Sequence, residues 1–350
     1  MDRGRDGGKR GRVTSIDIAH LAGVSQATVS RVLRGEPRVS QATRDKVMAA
    51  VQELRYTVDS RASNLRLQRT GTLALLLFED PTDDDSHINP FFLSMLGSIT
   101  RASARAGQDL LVSFQQLSDD WHADYADSRK ADGLILLGYG DYLAYRCKLE
   151  KLVEQGTRFV RWGAVLPDQP GLSIGCDNFQ GGRLVGGHLL ATGRRRVAFL
   201  GDASQRFPEF HDRHRGCAAA LADAGLSLDP QLQVDAHSSE ESGHAAAVEL
   251  IRRGRRFDAL FAASDLIAVG ALRALAEHGL RVPQDVAVAG FDDIPAARFS
   301  HPPLTTVAQD TASAGALLVD TVMRQVRGEP AGNVMLPATL RVRQSSDPSA

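Results

Sequence analysis

Beyond residue 71 the chain alternates between short apolar runs and longer segments in which apolar positions have helical spacing. Short continuous apolar runs are typical of strands that are buried on both faces of a parallel sheet. Leu93–Ala106 shows the helical spacing. This alternation predicts an α/β body built from two doubly wound parallel sheets. The predicted strands are Leu73–Phe78, Leu110–Phe114, Gly133–Leu137, Arg158–Trp162, Val197–Leu200, Leu260–Ala262 and Val286–Ala289.

The first seventy residues have a different pattern, with short helices separated by turn residues. Thr14, with Asp17 three positions later, predicts a capped helix start, and Gly23 predicts the helix end. Ser25 begins a second helix, and Ser40 begins a third with a buried stripe along one face. Two helices of about two turns joined by a turn containing glycine predict a helix-turn-helix.

The second predicted helix has a polar outer face. Glutamine can form two hydrogen bonds with adenine in the major groove, and alanine can contact the methyl group of thymine. Serine, threonine and arginine side chains can bind phosphates. A three-helix bundle with an ordinary solvated face is the structural alternative. The polar residues of this face are Gln26, Thr28, Ser30, Arg31 and Arg34.

The charge is distributed unevenly along the chain. The formal net charge is -1, from 41 basic and 42 acidic residues among 350. Residues 1–70 hold 14 basic and 7 acidic residues, which leaves 27 basic and 35 acidic residues for the remainder. A net charge of +7 therefore precedes one of −8. This asymmetry suggests a polyanion-binding module attached to an acidic body, with a solvated basic tail as the alternative.

Cysteine usage and hydropathy restrict the compartment. The three cysteines, Cys147, Cys176 and Cys217, are widely spaced and form neither a disulfide framework nor paired metal ligands. No apolar segment follows the basic N-terminal residues, and no run approaches the roughly 18 apolar residues of a membrane helix. We therefore expect free thiols, a cytoplasmic location and no membrane partner.

The segment Val13–Tyr56 resembles the DNA-binding headpiece of the LacI family of bacterial transcription regulators, to which the lactose and purine repressors belong. The resemblance is carried by Ala22-Gly23-Val24-Ser25 and by the following Thr28-Val29-Ser30-Arg31-Val32-Leu33. It implies that Gln26 and Ala27 occupy the main operator-discriminating positions. Arg34 departs from the family's usual Asn and is expected to add phosphate attraction at that position.

The resemblance continues into the linker that becomes a helix on operator DNA in this family. Ala62 and Leu65 match the family pattern, whereas Val58 replaces its proline and Ser63 its arginine. Leu65 is expected to wedge between base steps in the minor groove, with packing on the body as the alternative. The complete set of expected DNA-binding residues is Thr14, Ser25, Gln26, Ala27, Thr28, Ser30, Arg31, Arg34, Ala62 and Leu65.

The body also resembles the family, whose effector domain has the two-lobed fold of periplasmic sugar-binding proteins. The landmarks include Asn89-Pro90-Phe91-Phe92, Asp177-Asn178 and Val286 to Asp293. By analogy the crossovers between lobes lie near residues 172, 300 and 330. The expected organisation is a basic tail (1–12), a headpiece (13–58), a hinge (59–70), an N-terminal lobe (71–172 and 301–329) and a C-terminal lobe (173–300 and 330–345).

Four residues are expected to bind a small-molecule effector. The resemblance assigns this role to Arg213, Asp292 and Ser264, and it makes Phe91 an aromatic platform. A carboxylate and a guanidinium group together suit a polyol. The alternatives are that Arg213 pairs with Asp292 and that Phe91 belongs to the core. Ser238 stands where several relatives have an aromatic platform, so stacking there is missing or comes from His237.

The remaining expectations concern function. No catalytic motif, phosphate-binding loop or metal-ligand pattern is present, so we expect no enzyme activity, cofactor or metal. The expected protein is a homodimeric repressor of a pseudo-palindromic operator, induced by a monosaccharide or disaccharide. The acidic stretch 79–87 is expected to disfavour anionic ligands, as a solvated loop or as a lid. A solute-binding protein and an enzyme with an added DNA-binding module are the alternatives, and a corepressor role for the effector remains open.

Overall fold

The computed structural model describes residues 13–33, 36–54, 56, 69–78, 88–114, 120–138, 140–347 and 349. The chain divides into two compact units, Met1–Gln68 and Arg69–Ala350. The expected basic tail, Arg34, the hinge residues Ala62 and Leu65, and the acidic stretch 79–87 lie outside the described residues.

The first unit contains three helices: α1 (Ser15–Ala22), α2 (Gln26–Leu33) and α3 (Gln41–Glu53). The Asp17 carboxylate accepts hydrogen bonds from the Thr14 amide (2.7 Å) and hydroxyl (2.8 Å), and these bonds hold the pKa of Asp17 below its usual value. Gly23 ends α1 with a φ of 65°, a left-handed conformation that glycine adopts without steric cost. These features confirm the helix-turn-helix.

One small apolar core holds the three helices together. Each helix contributes buried side chains to it, and the partly buried residues around the core include Val24, Leu54 and Tyr56. Because this core uses only one face of α2, the opposite face of that helix is left to solvent. The fully buried members are Ile18, Ala19, Val29, Val32, Val47 and Ala50.

The second unit is built on two parallel sheets, which confirms the predicted α/β class. The first sheet has the strand order β11-β5-β4-β3-β1-β2, and the second has the order β7-β6-β8-β9. The strands are β1 (Thr72–Leu77), β2 (Asp109–Phe114), β3 (Gly133–Leu137), β4 (Phe159–Trp162), β5 (Leu172–Cys176), β6 (Val197–Leu200), β7 (Gln233–Val234), β8 (Ala259–Ala262), β9 (Ala287–Ala289), β10 (Thr306–Ala308), β11 (Val334–Leu336) and β12 (Thr339–Arg341).

Helices connect these strands and cover the sheets. A π-helical turn (His122–Asp127) and a short 3-10 helix (Pro230–Leu232) also occur among the described residues. The helices are α4 (Pro90–Arg105), α5 (Tyr142–Glu154), α6 (Asn178–Ala191), α7 (Pro208–Asp223), α8 (Glu240–Arg252), α9 (Asp265–Glu277), α10 (Pro295–Phe299) and α11 (Thr311–Arg327).

The chain passes between the two sheets at positions that differ from those expected. Strand β5 and the late strand β11 pair with each other inside the first sheet, so the first crossing follows Cys176 and the last follows Leu336. Strand β10 pairs with β12 beside the second sheet, where Thr305 also bridges to Ala289. The crossings therefore follow residues 176, 308 and 336 rather than lying near 172, 300 and 330.

The three cysteines are free in this structure, and two of them are buried. Burial raises the pKa of both Cys176 and Cys217 to about 12. Both side chains therefore remain neutral thiols that pack as small apolar groups.

Candidate DNA-binding face and effector cleft

The N-terminal end of α2 presents the residues that sequence analysis assigned to base contact. Gln26 and Ala27 are exposed, whereas Val29 and Val32 on the same helix are buried in the core. The Gln26 amide donates a hydrogen bond to the Ser15 hydroxyl (2.9 Å), which ties the recognition helix to the start of α1.

Ser25 and Thr28 have a structural role at the start of the same helix. The Ser25 hydroxyl accepts a hydrogen bond from the Thr28 amide (3.2 Å) and lies 2.9 Å from the Thr28 hydroxyl. Such a cap satisfies one of the free amide groups at a helix start. At the start of α1 the Asp17 carboxylate accepts hydrogen bonds from the Thr14 amide and hydroxyl instead. Ser30 is half-buried, and the exposed Arg31 lies 3.9 Å from the Glu36 carboxylate.

In the body, the expected effector residues follow the carboxyl ends of parallel strands. Phe91 follows β1, Arg213 lies in the helix after β6, Ser264 follows β8 and Asp292 follows β9. Each sheet contains a point at which the strand order reverses. In the first sheet β1 lies between β2 and β3, and in the second β6 lies between β7 and β8. Ligands of open α/β sheets bind at such switch points.

Arg213 and Asp292 form a buried charged pair. The Arg213 Nη2 atom lies 3.7 Å from Asp292 Oδ1, and both side chains are buried. Arg213 Nε donates a hydrogen bond to Asn178 Oδ1 (2.9 Å), and its guanidinium carbon lies 3.8 Å from the centre of the Phe291 ring. The pairing that was the alternative to ligand binding therefore exists, and these additional contacts fix the orientation of the guanidinium group.

Asp292 is also held by its backbone and by an amide side chain. Its φ is 118°, a conformation that costs free energy in residues other than glycine and that clusters at functional sites. The Gln309 Nε2 atom donates a hydrogen bond to Asp292 Oδ1 (2.6 Å). Phe91, Asp292 and Gln309 together line a cavity of about 190 Å³. Gln309 was not singled out from the sequence.

Phe91 is a buried aromatic residue that also lines a cavity. Its ring is buried against Phe92 (5.3 Å between ring centres) and Trp162 (6.0 Å), as a core residue would be. The same residue lines the cavity that contains Asp292. The structure therefore places a buried aromatic ring beside the carboxylate.

Ser264 lies in a chain of hydroxyl and amide groups. Its hydroxyl accepts a hydrogen bond from Ser238 Oγ (2.8 Å), and Ser238 Oγ accepts one from Asn89 Nδ2 (3.2 Å). Ser238 is buried and provides no aromatic platform, whereas His237 is exposed with its ring 6.0 Å from that of Phe207. Asn89 comes after strand β1 of the first sheet, and Ser238 comes after strand β7 of the second sheet. This series of hydrogen bonds therefore joins the two lobes.

Two further hydrogen bonds connect the lobes. The Tyr142 amide donates to the Arg206 carbonyl group (2.8 Å), and the Ala164 amide donates to Glu209 Oε1 (2.6 Å). Glu209 and the cationic Arg161 are both buried beside this contact. In this structure the two lobes are therefore in direct contact through these hydrogen bonds.

Asp265 is a buried carboxyl group near Asp292. Burial, together with the negative charge of Asp292, raises the pKa of Asp265 well above its usual value, although a hydrogen bond with Thr306 (2.5 Å) opposes this shift. Burial of Asp265 and its closeness to the Asp292 charge therefore both disfavour ionisation of the Asp265 carboxyl group.

Among the described residues no cluster of histidine, cysteine, aspartate or glutamate has the arrangement of a metal site. No helix in the described part of the chain has the length and apolar character that spanning a bilayer requires.

Comparison with known families identifies both units. A model described as bacterial regulatory proteins, lacI family, matches residues 15–59, and a model described as a periplasmic binding protein-like domain matches residues 187–346. The HTH-type transcriptional regulator CelR of Thermobifida fusca is 35% identical over 345 residues, which cover 96% of this chain and 99% of the relative. The HTH-type transcriptional regulator GalR of Escherichia coli is 29% identical over 344 residues, 96% of each chain.

Solved structures give the same result over nearly the whole length. A transcriptional regulator CelR–cellobiose complex matches with a TM-score of 0.71 and 33% identity, covering 95% of this chain and 100% of the other. A lac repressor dimer bound to operator and the anti-inducer ONPF matches with a TM-score of 0.75 and 26% identity, covering 95% and 99%.

Proposed function

The chain belongs to the lacI family of bacterial regulatory proteins and is a DNA-binding transcriptional regulator, and from this premise we propose that it is a dimeric repressor induced by a neutral sugar. The sugar would bind in the effector cleft, which is the space between the lobes around Phe91, Arg213 and Asp292. The observation that carries this proposal is the buried Arg213–Asp292 pair, with Gln309 bound to the same carboxylate. We place its action in the cytoplasm, where its DNA is found.

The chemistry of the cleft favours a polyol. A carboxylate accepts hydrogen bonds from two neighbouring hydroxyl groups, and a guanidinium group donates to ring and hydroxyl oxygens. The buried Asp292 carboxylate would repel an anionic ligand, and the ring of Phe91 offers an apolar face for a pyranose. Because a relative has been solved with cellobiose, a β-linked disaccharide is the first ligand to test.

The regulatory step follows from the position of the cleft between two lobes. A ligand shifts an equilibrium only when it binds one arrangement more tightly than another. A sugar that spans Asn89 on one lobe and Ser264 on the other would stabilise one arrangement of the lobes. We propose that the favoured arrangement is the one with low operator affinity, so the sugar releases the DNA.

On DNA we assign the base contacts to Gln26 and Ala27, because they are exposed at the start of α2. We assign phosphate contacts to Ser30 and Arg31 and to the capping residues Thr14, Ser25 and Thr28. We retain the expected roles of Arg34 as a phosphate contact and of Ala62 and Leu65 in the hinge.

Thermal unfolding of the full-length protein with sugars tests the effector assignment. Cellobiose or a related neutral sugar should raise the unfolding temperature, whereas phosphosugars and purines should not. The Asp292→Asn variant should bind that sugar about 10- to 100-fold more weakly, because a hydrogen bond to a charged group contributes about 1.5–3 kcal/mol. Asp320→Asn, which changes an exposed carboxylate, is the matched control.

Stabilisation by purines or phosphosugars, with no response to any neutral sugar, would contradict the ligand class. Equal sugar affinity in Asp292→Asn and in the wild type would contradict the assigned site. The same titrations with DNA present test the sign, since an inducer weakens DNA binding and a corepressor strengthens it.

A further inference from the structure

Four arginines meet at a surface cavity on the second sheet, away from the residues of the effector cleft. Arg195 and Arg196 precede strand β6, and Arg255 and Arg256 lie in the turn between α8 and β8. Together with Ser227 they line a cavity of about 350 Å³. We call this cavity the arginine groove. Asp229 also lines it, and its carboxylate caps the short 3-10 helix by accepting from the Gln231 amide (2.9 Å).

The groove has a net positive charge, because its four arginines outnumber the single carboxylate of Asp229. The neighbouring Arg252 and Arg253 both pair with the Glu249 carboxylate, at 2.7 and 3.1 Å. Among the described residues, by contrast, no carboxylate lies within ion-pair distance of the four guanidinium groups of the groove. This concentration of charge stands out in a segment, residues 71–350, that has 27 basic and 35 acidic residues.

The walls of the groove are held by hydrogen bonds that do not involve the four guanidinium groups. The Asp258 carboxylate accepts hydrogen bonds from the backbone amides of Arg195 (3.1 Å) and Arg196 (2.9 Å). Arg253 Nη1 donates to the carbonyl groups of Gln231 (3.1 Å) and Gln233 (2.9 Å). The segments that carry the arginines are therefore fixed before any ligand binds, which lowers the entropic cost of binding.

We propose that the arginine groove is a second effector site that binds a compact anion with two or more phosphate groups. Arginine presents a planar fork of donors that matches phosphate oxygens, and several arginines around one cavity distinguish multiply charged from singly charged anions. The Ser227 hydroxyl adds a further donor or acceptor. A cavity of about 350 Å³ holds a small molecule rather than the extended surface of a protein or a duplex. This site is independent of the sugar proposed for the effector cleft.

The test uses inorganic tripolyphosphate as the probe and titrates it calorimetrically into the full-length protein at low salt. Arg195→Gln/Arg255→Gln should weaken tripolyphosphate binding at least tenfold. The control Arg101→Gln/Arg105→Gln changes two exposed arginines of α4 and removes the same charge, so its affinity should stay within twofold of the wild type. Because all four positions are exposed, the unfolding temperatures of both variants should match that of the wild type.

Three outcomes would overturn the proposal. The first is that the wild type binds tripolyphosphate no more tightly than the Arg195→Gln/Arg255→Gln variant does. The second is an equal loss in the groove and control variants, which would indicate attraction to total charge. The third is a larger effect of the groove variant on the binding of an oligoaspartate peptide or of nonspecific duplex DNA than on tripolyphosphate, which would assign the surface to a macromolecule.

Discussion

Asp265 illustrates how a single buried residue links the effector cleft to stability. Its side chain is fully buried at the start of α9, where Oδ1 lies 2.5 Å from the Thr306 hydroxyl and Oδ2 accepts from the Ile294 amide (2.9 Å). Both the Thr306 hydroxyl and the Ile294 amide donate to the carboxyl group, and these two hydrogen bonds lower its pKa. Burial and the charge of Asp292 both disfavour ionisation and outweigh them, so the pKa of Asp265 is raised.

Asp265→Asn should preserve the fold and change its pH dependence. The unfolded chain ionises Asp265 near its usual pKa of 3.8, whereas the folded protein retains the proton to higher pH. The wild-type free energy of unfolding therefore falls as the pH rises from about 4 toward the raised pKa, by up to about 1.4 kcal/mol per pH unit for this proton. Asparagine reproduces the neutral acid and removes this decline.

Urea unfolding of both proteins between pH 4 and 8 measures the difference, and Asp320→Asn serves as the exposed control. Parallel curves for Asp265→Asn and the wild type would show that Asp265 is ionised in the folded protein.

At the level of elements, the close packing of α6 against α7 positions the arginine of the effector cleft. A Cβ atom on Gly182 of α6 would lie 2.1 Å from the carbonyl oxygen of Arg213, and one on Gly216 of α7 would lie 2.0 Å from that of Phe179. Glycine at these positions therefore allows the two backbones to touch. The contact brings Asn178, also on α6, within 2.9 Å of Arg213 Nε.

Gly182→Ala should both destabilise the protein and weaken its affinity for the sugar. The added methyl group must push α7 away, which costs about 1–3 kcal/mol in a packed interior and moves Arg213 with it. Gly187→Ala is the matched control, because its Cβ atom would meet no atom within 4 Å and it lies on the same helix. That variant should be about 0.5–1 kcal/mol more stable than the wild type, with unchanged sugar affinity.

Chemical denaturation and sugar titration of the two variants provide the measurements. Equal stability of Gly182→Ala and Gly187→Ala would contradict the close helix contact.

The positions of strands along the chain were easier to predict from the sequence than the strands with which they pair. The apolar run Gly133–Leu137 coincides with strand β3, since burial on both faces excludes polar residues from such a strand. An apolar run does not specify which sheet receives it. The first crossover was expected near residue 172, yet β5 lies in the first sheet beside β11, whose Val334 pairs with Ile174. That pairing is set by tertiary packing.

The same distinction applies to the effector cleft. Arg213 and Asp292 were assigned from the resemblance to the family, and the structure brings them within 3.7 Å of each other. Gln309 contacts Asp292 and Asn178 contacts Arg213, each from another part of the fold. The local sequence pattern does not predict such contacts. Residues that orient a charged group are thus identified only from the folded structure, whereas the charged groups themselves were assigned from the resemblance to the family.

For the whole molecule, the nearly neutral total charge is the sum of a basic segment, residues 1–70, and an acidic remainder. The basic first seventy residues attract DNA phosphates and release counterions from them, which makes binding depend on salt. The acidic remainder is repelled by DNA, apart from the local positive charge of the arginine groove. We therefore expect sequence-specific binding to rest on the small headpiece, with the start of α2 against the bases.

One headpiece with so few base contacts should bind DNA weakly, and a dimer should need two half-sites. We expect the full-length protein to bind a pseudo-palindromic site far more tightly than the same site with one half scrambled, because two recognition helices must dock about one helical turn apart.

Gln26→Ala should change base preference at symmetry-related positions in both half-sites, by about 1–3 kcal/mol per contacted base. Selection from a randomised duplex library, followed by titration at fixed salt, measures both effects. Gln41→Ala, an exposed glutamine at the start of α3, should leave the selected sequence unchanged. Equal affinity for the intact and half-scrambled sites would refute the two-headpiece mode, and an unchanged consensus for Gln26→Ala would refute direct base contact by that residue.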